Sequence, residues 1–257
     1  MRFPTIQFLA AGLGAACAAC GARPSAAPRD VAGSCQPAFG SPVCTWAQMS
    51  GSQVVAVGAT VPMTTIDSAP ADAPMVWPPE AVITVPFPSD VRAAIGLDHL
   101  MVNWEPHGHP PAPFATPHFD FHFYVISDSV RQAIDCSHTS KPATLPAGYD
   151  LPDLPVPGLG TLIGVCVPRM GMHSILATVA QDTAPFTATM VLGFYQGSPI
   201  FYEPMISQSF LATRRSFNLP VTPPADLPPG VQYPTRFEAR YDATIPGYSF
   251  IFTGFPS

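Results

Sequence analysis

Hydrophobic and polar positions alternate with a period of two along most of this chain, and runs with a helical period are short. "SQVVAVGATV" (52–61), "LDHLMVNWEP" (97–106) and "HFDFHFYVI" (118–126) predict strands. "TWAQM" (45–49) and "TLIGVCV" (161–167) predict two more. "TATMVLGFYQGSPIFYEPMI" (187–206) predicts a hairpin turning at Gln196-Gly197-Ser198. "RFEARYDATIPGYSFIFTGF" (236–255) predicts a final hairpin turning near Pro246-Gly247. Two short helices are predicted. One lies in "PSDVRAAIG" (88–96), capped by Ser89 or Asp90 and ended by Gly96; the other lies in "SDSVRQAID" (127–135), with Ser127 as cap and Ile134 facing inward. Residues 140–160 and 218–234 are proline-rich and without period, and predict ordered loops, the first a candidate lid. No internal repeat or domain boundary stands out. The pattern predicts a mainly β chain: a single antiparallel β-sandwich or barrel-like domain with two short helices.

Composition supports this architecture. There are 34 prolines in 257 residues, and proline removes backbone donors and ends helices. Charged residues are only 11%, lysine occurs once, at Lys141, and the formal charge is −6, which argues against a nucleic-acid partner.

The N-terminus reads as an export signal. Arg2 is followed by an almost wholly apolar stretch to Ala19, too short for a membrane span and suited to a signal peptide over 1–19. Small residues before Cys17 and Cys20 resemble a bacterial lipoprotein cleavage site. The alternatives are a lipid-anchored start at Cys20 (or Cys17) and ordinary cleavage near Ala19. Residues 20–34 then read as a flexible tether and 35–257 as a β-rich metal-binding domain. The expected location is the periplasm or cell surface. The remaining cysteines are even in number, and the expected pairing is local, Cys35 with Cys44 and Cys136 with Cys166.

The chemistry concentrates in "GHPPAPFATPHFDFHFY" (108–124). On a strand, His118, Asp120 and His122 share one face, and Phe119, Phe121 and Phe123 share the other. Buried imidazoles and a carboxylate need partners, and a divalent cation satisfies them together. Further donors are His109 after Gly108, His173 in "PRMGMHS", and Glu203, an acid within an apolar run. His118, His122, His173 and Glu203 are expected to hold one ion. Asp120 would orient a histidine or act as base, and His109 would face a substrate. Zinc is the first choice of metal, with iron, manganese or copper as alternatives; Met170, Met172 and Met205 beside the ligands keep copper open, although they also read as core filler. Geometry limits the single-ion reading. Residues i and i+4 of a straight strand are about 13 Å apart, so His118 and His122 meet on one ion only if the strand bends or bulges. His99, His107 and His138 read as structural. No G-x-S-x-G elbow or paired carboxylates suggest other catalysis.

Four segments in order, "NWEPHGHPP", "PHFDFHFY", "PRMGMH" and "GFYQGSPIFYEPMI", resemble an uncharacterised family of bacterial exported proteins with a domain of unknown function. The resemblance spans about residues 97–211 and places His109, His118, Asp120, His122, His173 and Glu203 at the characteristic positions. It implies a shared site and no particular reaction. The donor inventory is also similar to that of cupin metal sites, but its order and spacing depart from theirs. The reading is an exported protein with a divalent-metal site, a metal-dependent hydrolase acting on a small envelope substrate. The alternative is a non-enzymatic envelope protein that uses the metal for fold stability or partner binding.

Overall fold

A computed structural model describes residues 27–256. The segment read as a signal peptide (1–19), the alternative lipoprotein cysteines at 17 and 20 and the first part of the expected tether lie outside the described residues. In chain order the first elements are β1 (Arg29–Ala38), β2 (Ser41–Ser50), β3 (Gln53–Pro62), α1 (Met63–Asp67), β4 (Ile83–Pro86), α2 (Ser89–Ile95), β5 (His99–Glu105), β6 (His118–Tyr124) and α3 (Asp128–Gln132). There follow β7 (Tyr149–Asp150), β8 (Leu154–Val156), β9 (Gly160–Leu162), β10 (Met172–Leu176), α4 (Ala177–Ala180), β11 (Ala188–Tyr195) and β12 (Ser198–Ser207). The last are α5 (Gln208–Leu211), β13 (Phe217–Pro220), β14 (Arg236–Asp242) and β15 (Gly247–Thr253).

Two antiparallel sheets face each other as a sandwich. One has six strands in the order β1-β2-β3-β15-β14-β13; the other has seven, β4-β5-β6-β12-β11-β10-β7. The hairpin β8-β9 stands apart. Alternation decides which side chains meet between the sheets. Phe121 packs edge-on against Phe250 at 4.6 Å between ring centroids, and Phe123 against Phe252 at 4.8 Å. Tyr202 on β12 meets Phe252 at 4.6 Å. Each buried aromatic ring removes a large apolar area from water, so this layer contributes strongly to the hydrophobic stabilisation. At one edge the Thr45 hydroxyl donates to the Pro86 carbonyl at 2.7 Å and ties β2 to β4.

The β-sandwich expectation holds, and there is no closed barrel. Both predicted hairpins form, and the tight turn at Gln196 and Gly197 places both residues at positive φ (52° and 78°), which matches the twist of the flanking strands. Ser127 caps α3 as expected, accepting from the Val130 N–H, and Gly96 ends α2 in the left-handed conformation.

Several details differ from the sequence reading. Five short α-helices form among the described residues, not two; α1, α4 and α5 are single turns too brief to show a period. Helix α2 begins after Pro88 with no side-chain cap, because Ser89 and Asp90 are already inside it. Residues 29–34, read as tether, belong to β1. This edge strand is largely solvent-exposed and carries no apolar alternation; pairing with β2 orders it, with Cys35 directly opposite Cys44. Of the strand expected over 161–167, only 161–162 form strand, within β9, and a 3-10 turn takes over at Ile163–Val165. The proline-rich segment 140–160 contains β7 and β8, and residues 217–220 pair as β13.

The expected disulfides both form, Cys35–Cys44 and Cys136–Cys166. They fit a non-reducing environment. No helix among the described residues is long and apolar enough to cross a membrane. The second disulfide closes a 30-residue separation spanning β7, β8 and β9. Loop-closure entropy predicts that a Cys136→Ala/Cys166→Ala protein loses about 3–4 kcal/mol in guanidinium melts. Limited proteolysis should then cut first within residues 140–165.

Candidate metal centre

Strand β6 is buried along its whole length, between β5 and β12. With its phenylalanines turned to the sandwich core, His118, Asp120 and His122 emerge on the opposite, outer face of the seven-stranded sheet. Pairing extends this polar row sideways. Glu105 lies opposite His118 on β5, and Asn103 lies opposite Asp120. On β12, Met205 lies opposite Asp120, and the register carries Glu203 to His122. His173 reaches the same face from β10, opposite Gly193.

The six expected ligands separate into two groups. Donor atoms of His109, His118 and Asp120 all lie within 4.8 Å of one another, and so do those of His122, His173 and Glu203. In the first group His118 Nε2 is 3.4 Å from Asp120 Oδ1, and the His109 and His118 rings meet nearly at right angles, 4.8 Å apart. In the second, His122 Nε2 is 3.5 Å from both Glu203 Oε2 and His173 Nε2. The expectation that His118 and His122 share one ion is therefore corrected. Strand β6 pairs with β5 through seven consecutive residues without a bulge, so nothing shortens the i to i+4 span.

Local structure explains how the remote donors arrive. Gly108 has φ +64°, and a Cβ there would collide with the Phe114 carbonyl; only glycine lets the chain fold back so that the His109 N–H donates to Phe114 O at 3.1 Å. That fold sets His109 over His118. The turn before His173 is held from below. Tyr124 OH donates to Met170 O at 3.1 Å, and the buried Arg131 donates to Arg169 O at 2.7 Å. At Gly193 a Cβ would run into the Phe201 ring, which packs against His122 at 4.9 Å and His173 at 5.1 Å.

Three of the imidazoles are oriented by backbone carbonyls. Nδ1 of His109 donates to Pro110 O (2.8 Å), that of His118 to Thr116 O (2.7 Å) and that of His173 to Val165 O (3.1 Å). With the proton fixed on Nδ1, the lone pair sits on Nε2 and points at the neighbouring donors, the arrangement of histidines that bind metal. His118 Nε2, Asp120 Oδ1 and Glu203 Oε2 are buried without a hydrogen-bond partner. Such atoms are costly unless something satisfies them.

Electrostatics point the same way. Burial pushes the His118 imidazole down to about 3, helped by His109, and the His173 imidazole down to about 4. Burial also lowers His109, and lowers His122 well below the ordinary range. It raises Glu105 to about 7. Asp120 and Glu203 are raised well above the carboxylate range, first by burial and then by neighbouring acids, Glu203 and Glu105 for Asp120 and Glu105 for Glu203. Burial thus favours the neutral form of each of these groups, and a divalent ion would favour the charged form of the carboxylates.

Glu105, His109, Asp120, His173 and Glu203 line one cavity of about 240 Å³. Its walls are otherwise apolar and contain no lysine or arginine. The hairpin β8-β9, inside the segment read as a lid, supplies Leu154, Val156, Leu159 and Leu162 to the wall. Met170 and Met205 line the cavity, whereas Met172 packs against Gly164. Glu105 is the cavity-lining acid that the sequence reading did not single out. Its signal was present: His99, Met101, Asn103 and Glu105 alternate with Leu100, Val102 and Trp104, marking a second polar face beside that of β6. His99 stands outside both groups, 2.9 Å from Asp98 and stacked on Tyr124. His107 and His138 are exposed.

No family model, curated protein or solved structure matches this chain. The side chains themselves show that the fold contains His/Asp/Glu groups able to hold a divalent metal.

Two outcomes test this geometry. In chelator-treated protein the raised Glu105 carboxyl favours folding below its ordinary value of 4.5, and that contribution is lost as pH rises through about 7. Urea midpoints across this range should show Glu105→Gln gaining on the parent protein by roughly 3 kcal/mol, with no gain below pH 4.5. Gly193→Ala should cost about 1–3 kcal/mol and weaken metal retention after desalting, since Phe201 must move off His122 and His173.

Proposed function

We propose that this protein is an exported, metal-dependent hydrolase acting on a small, largely apolar molecule. The observation that carries the reading is the placement of oriented imidazoles and unpartnered carboxylates on the floor of an apolar cavity rather than under packed side chains. A structural metal is closed off by four or more protein ligands, whereas a catalytic one keeps a position open. His122, His173 and Glu203 offer three donors, and His173 and Glu203 line the cavity. A divalent ion held there would act as a Lewis acid and lower the pKa of a coordinated water to roughly 7.

The chain's own groups divide the remaining work. Glu105 is the carboxylate left over once Glu203 turns to His122 and Asp120 to His118; it lines the same cavity and takes the proton from the attacking water. Apolar walls from the β8-β9 hairpin and from Met75, Val76 and Trp77 exclude water and select an uncharged substrate, because no cationic side chain is present to bind an acid head group. Two imidazoles and one carboxylate also suit Fe(II), the donor set of non-haem oxygen chemistry, so the metal identity decides between hydrolysis and oxidation. Export is supported by the apolar leader over 1–19 and by the disulfides, and Cys20 supports attachment to the membrane through a lipid. The four motifs that resemble the exported family supply all six donors of the two groups, and Glu105 besides.

Elemental analysis of the purified protein beside His122→Ala tests the metal, and a panel of neutral short-chain esters tests the chemistry. His122→Ala should lose bound zinc, and Glu105→Gln should keep it while hydrolysing at least 100-fold more slowly. Equal metal content in the parent and His122→Ala overturns the site. Full metal content with no metal-dependent turnover overturns the enzyme and favours the non-enzymatic envelope protein.

A further inference from the structure

We infer that the chain holds a second divalent cation, bound by His109, His118 and Asp120 on the same cavity. This extends the metal reading above, but rests on donors that the first ion does not use.

The argument begins with spacing. His118 and His122 project from an unbroken strand about 13 Å apart, and the register with β5 allows no bulge between them. One ion with ligand bonds of about 2 Å cannot take both. The two donor groups share no atom, and each brings two imidazoles and one carboxylate within 4.8 Å. A cluster that were merely a by-product of burial would satisfy its polar atoms internally. Here His118 Nε2 and Asp120 Oδ1, both buried, lack hydrogen-bond partners and face each other at 3.4 Å.

Orientation adds to this. Both histidines of the group have Nδ1 tied to a carbonyl, His109 to Pro110 and His118 to Thr116, which leaves Nε2 of each as the free donor. The loop that carries His109 folds back at Gly108, a conformation open only to glycine at that close approach, and its effect is to bring His109 against His118. The cavity lining offers no lysine or arginine that could neutralise Asp120 instead. Two imidazoles and a carboxylate select a borderline divalent ion such as Zn²⁺, Fe²⁺ or Co²⁺ over Ca²⁺ or Mg²⁺. Because no donor is shared, the two ions occupy separate positions on either side of Asp120, and each can be removed without the other.

The test uses the full mature chain, stripped with chelator, reloaded with excess Zn²⁺ near pH 7.5, desalted and analysed for zinc per protein. The parent should carry about two, His118→Ala about one, His122→Ala about one, and the double variant none. His118 is fully buried, so His109→Ala and Asp120→Asn are run beside it; His109 is only half-buried, and its loss should leave thermal unfolding of the chelator-stripped protein nearly unchanged while lowering zinc in the reloaded protein to about one. With Co²⁺ in place of Zn²⁺, the visible spectrum of the parent should equal the sum of those of His118→Ala and His122→Ala. A parent with one zinc, all of it lost in His122→Ala, overturns the second site and leaves the first standing. Two zincs retained by His109→Ala, Asp120→Asn and His118→Ala alike also overturn it. Zinc lost on His118→Ala but not on His122→Ala supports this site and removes the first.

Discussion

The structure depends on one strand having two unlike faces. Strand β6 sends three phenylalanines into the sandwich and three polar residues out of it, and neither face tolerates a change of register. A slip of one residue would turn His118, Asp120 and His122 into an aromatic core with no partners and expose the phenylalanines on the other side. The aromatic contacts between the sheets therefore hold the row of candidate donors in place. Three of the six candidate donors stand on a strand paired along both edges, so the backbone ladder fixes their spacing.

The outer face of the seven-stranded sheet would ordinarily be solvated. Here the segments 106–116, 75–79 and 154–170 fold over it, which turns an exposed polar row into the floor of an apolar cavity. This enclosure shifts every titratable group toward its neutral form, lowering the imidazoles and raising the carboxyls. No lysine or arginine lines the cavity to offset its carboxylates. Backbone carbonyls have already chosen which imidazole nitrogen keeps the proton, and that choice leaves the other nitrogen open. Burial cost and ligand orientation arise from the same covering segments.

Much of the donor set could be read from the chain because strand alternation is local. "HFDFHFY" announced both its faces, and the turn signal at Gln196-Gly197 fixed the hairpin that presents Glu203. Glu105 carried the same signal on β5 but sat among apolar residues, where a single acid draws less notice than repeated histidines. Helices α1, α4 and α5 were invisible for a related reason: a single turn does not complete a helical period. Residues 29–34 looked like a tether because an edge strand exposed on both faces needs no apolar alternation, and its pairing with β2 depends on residues of the neighbouring strand.

By itself the sequence determined a mainly β domain, sandwich or barrel-like, favoured local disulfide pairing and singled out six candidate donors, because period, parity and residue chemistry are properties of short stretches. Only the tertiary structure decided how those donors divide. His109 joins His118 and Asp120 because a glycine-hinged loop folds back over the strand, and His173 and Glu203 join His122 because β10 and β12 happen to lie on its side of the sheet. Which strands become neighbours, and what covers them, is set by packing between segments far apart in the chain. For that reason a row of ligands on one strand became two separate groups within a single cavity.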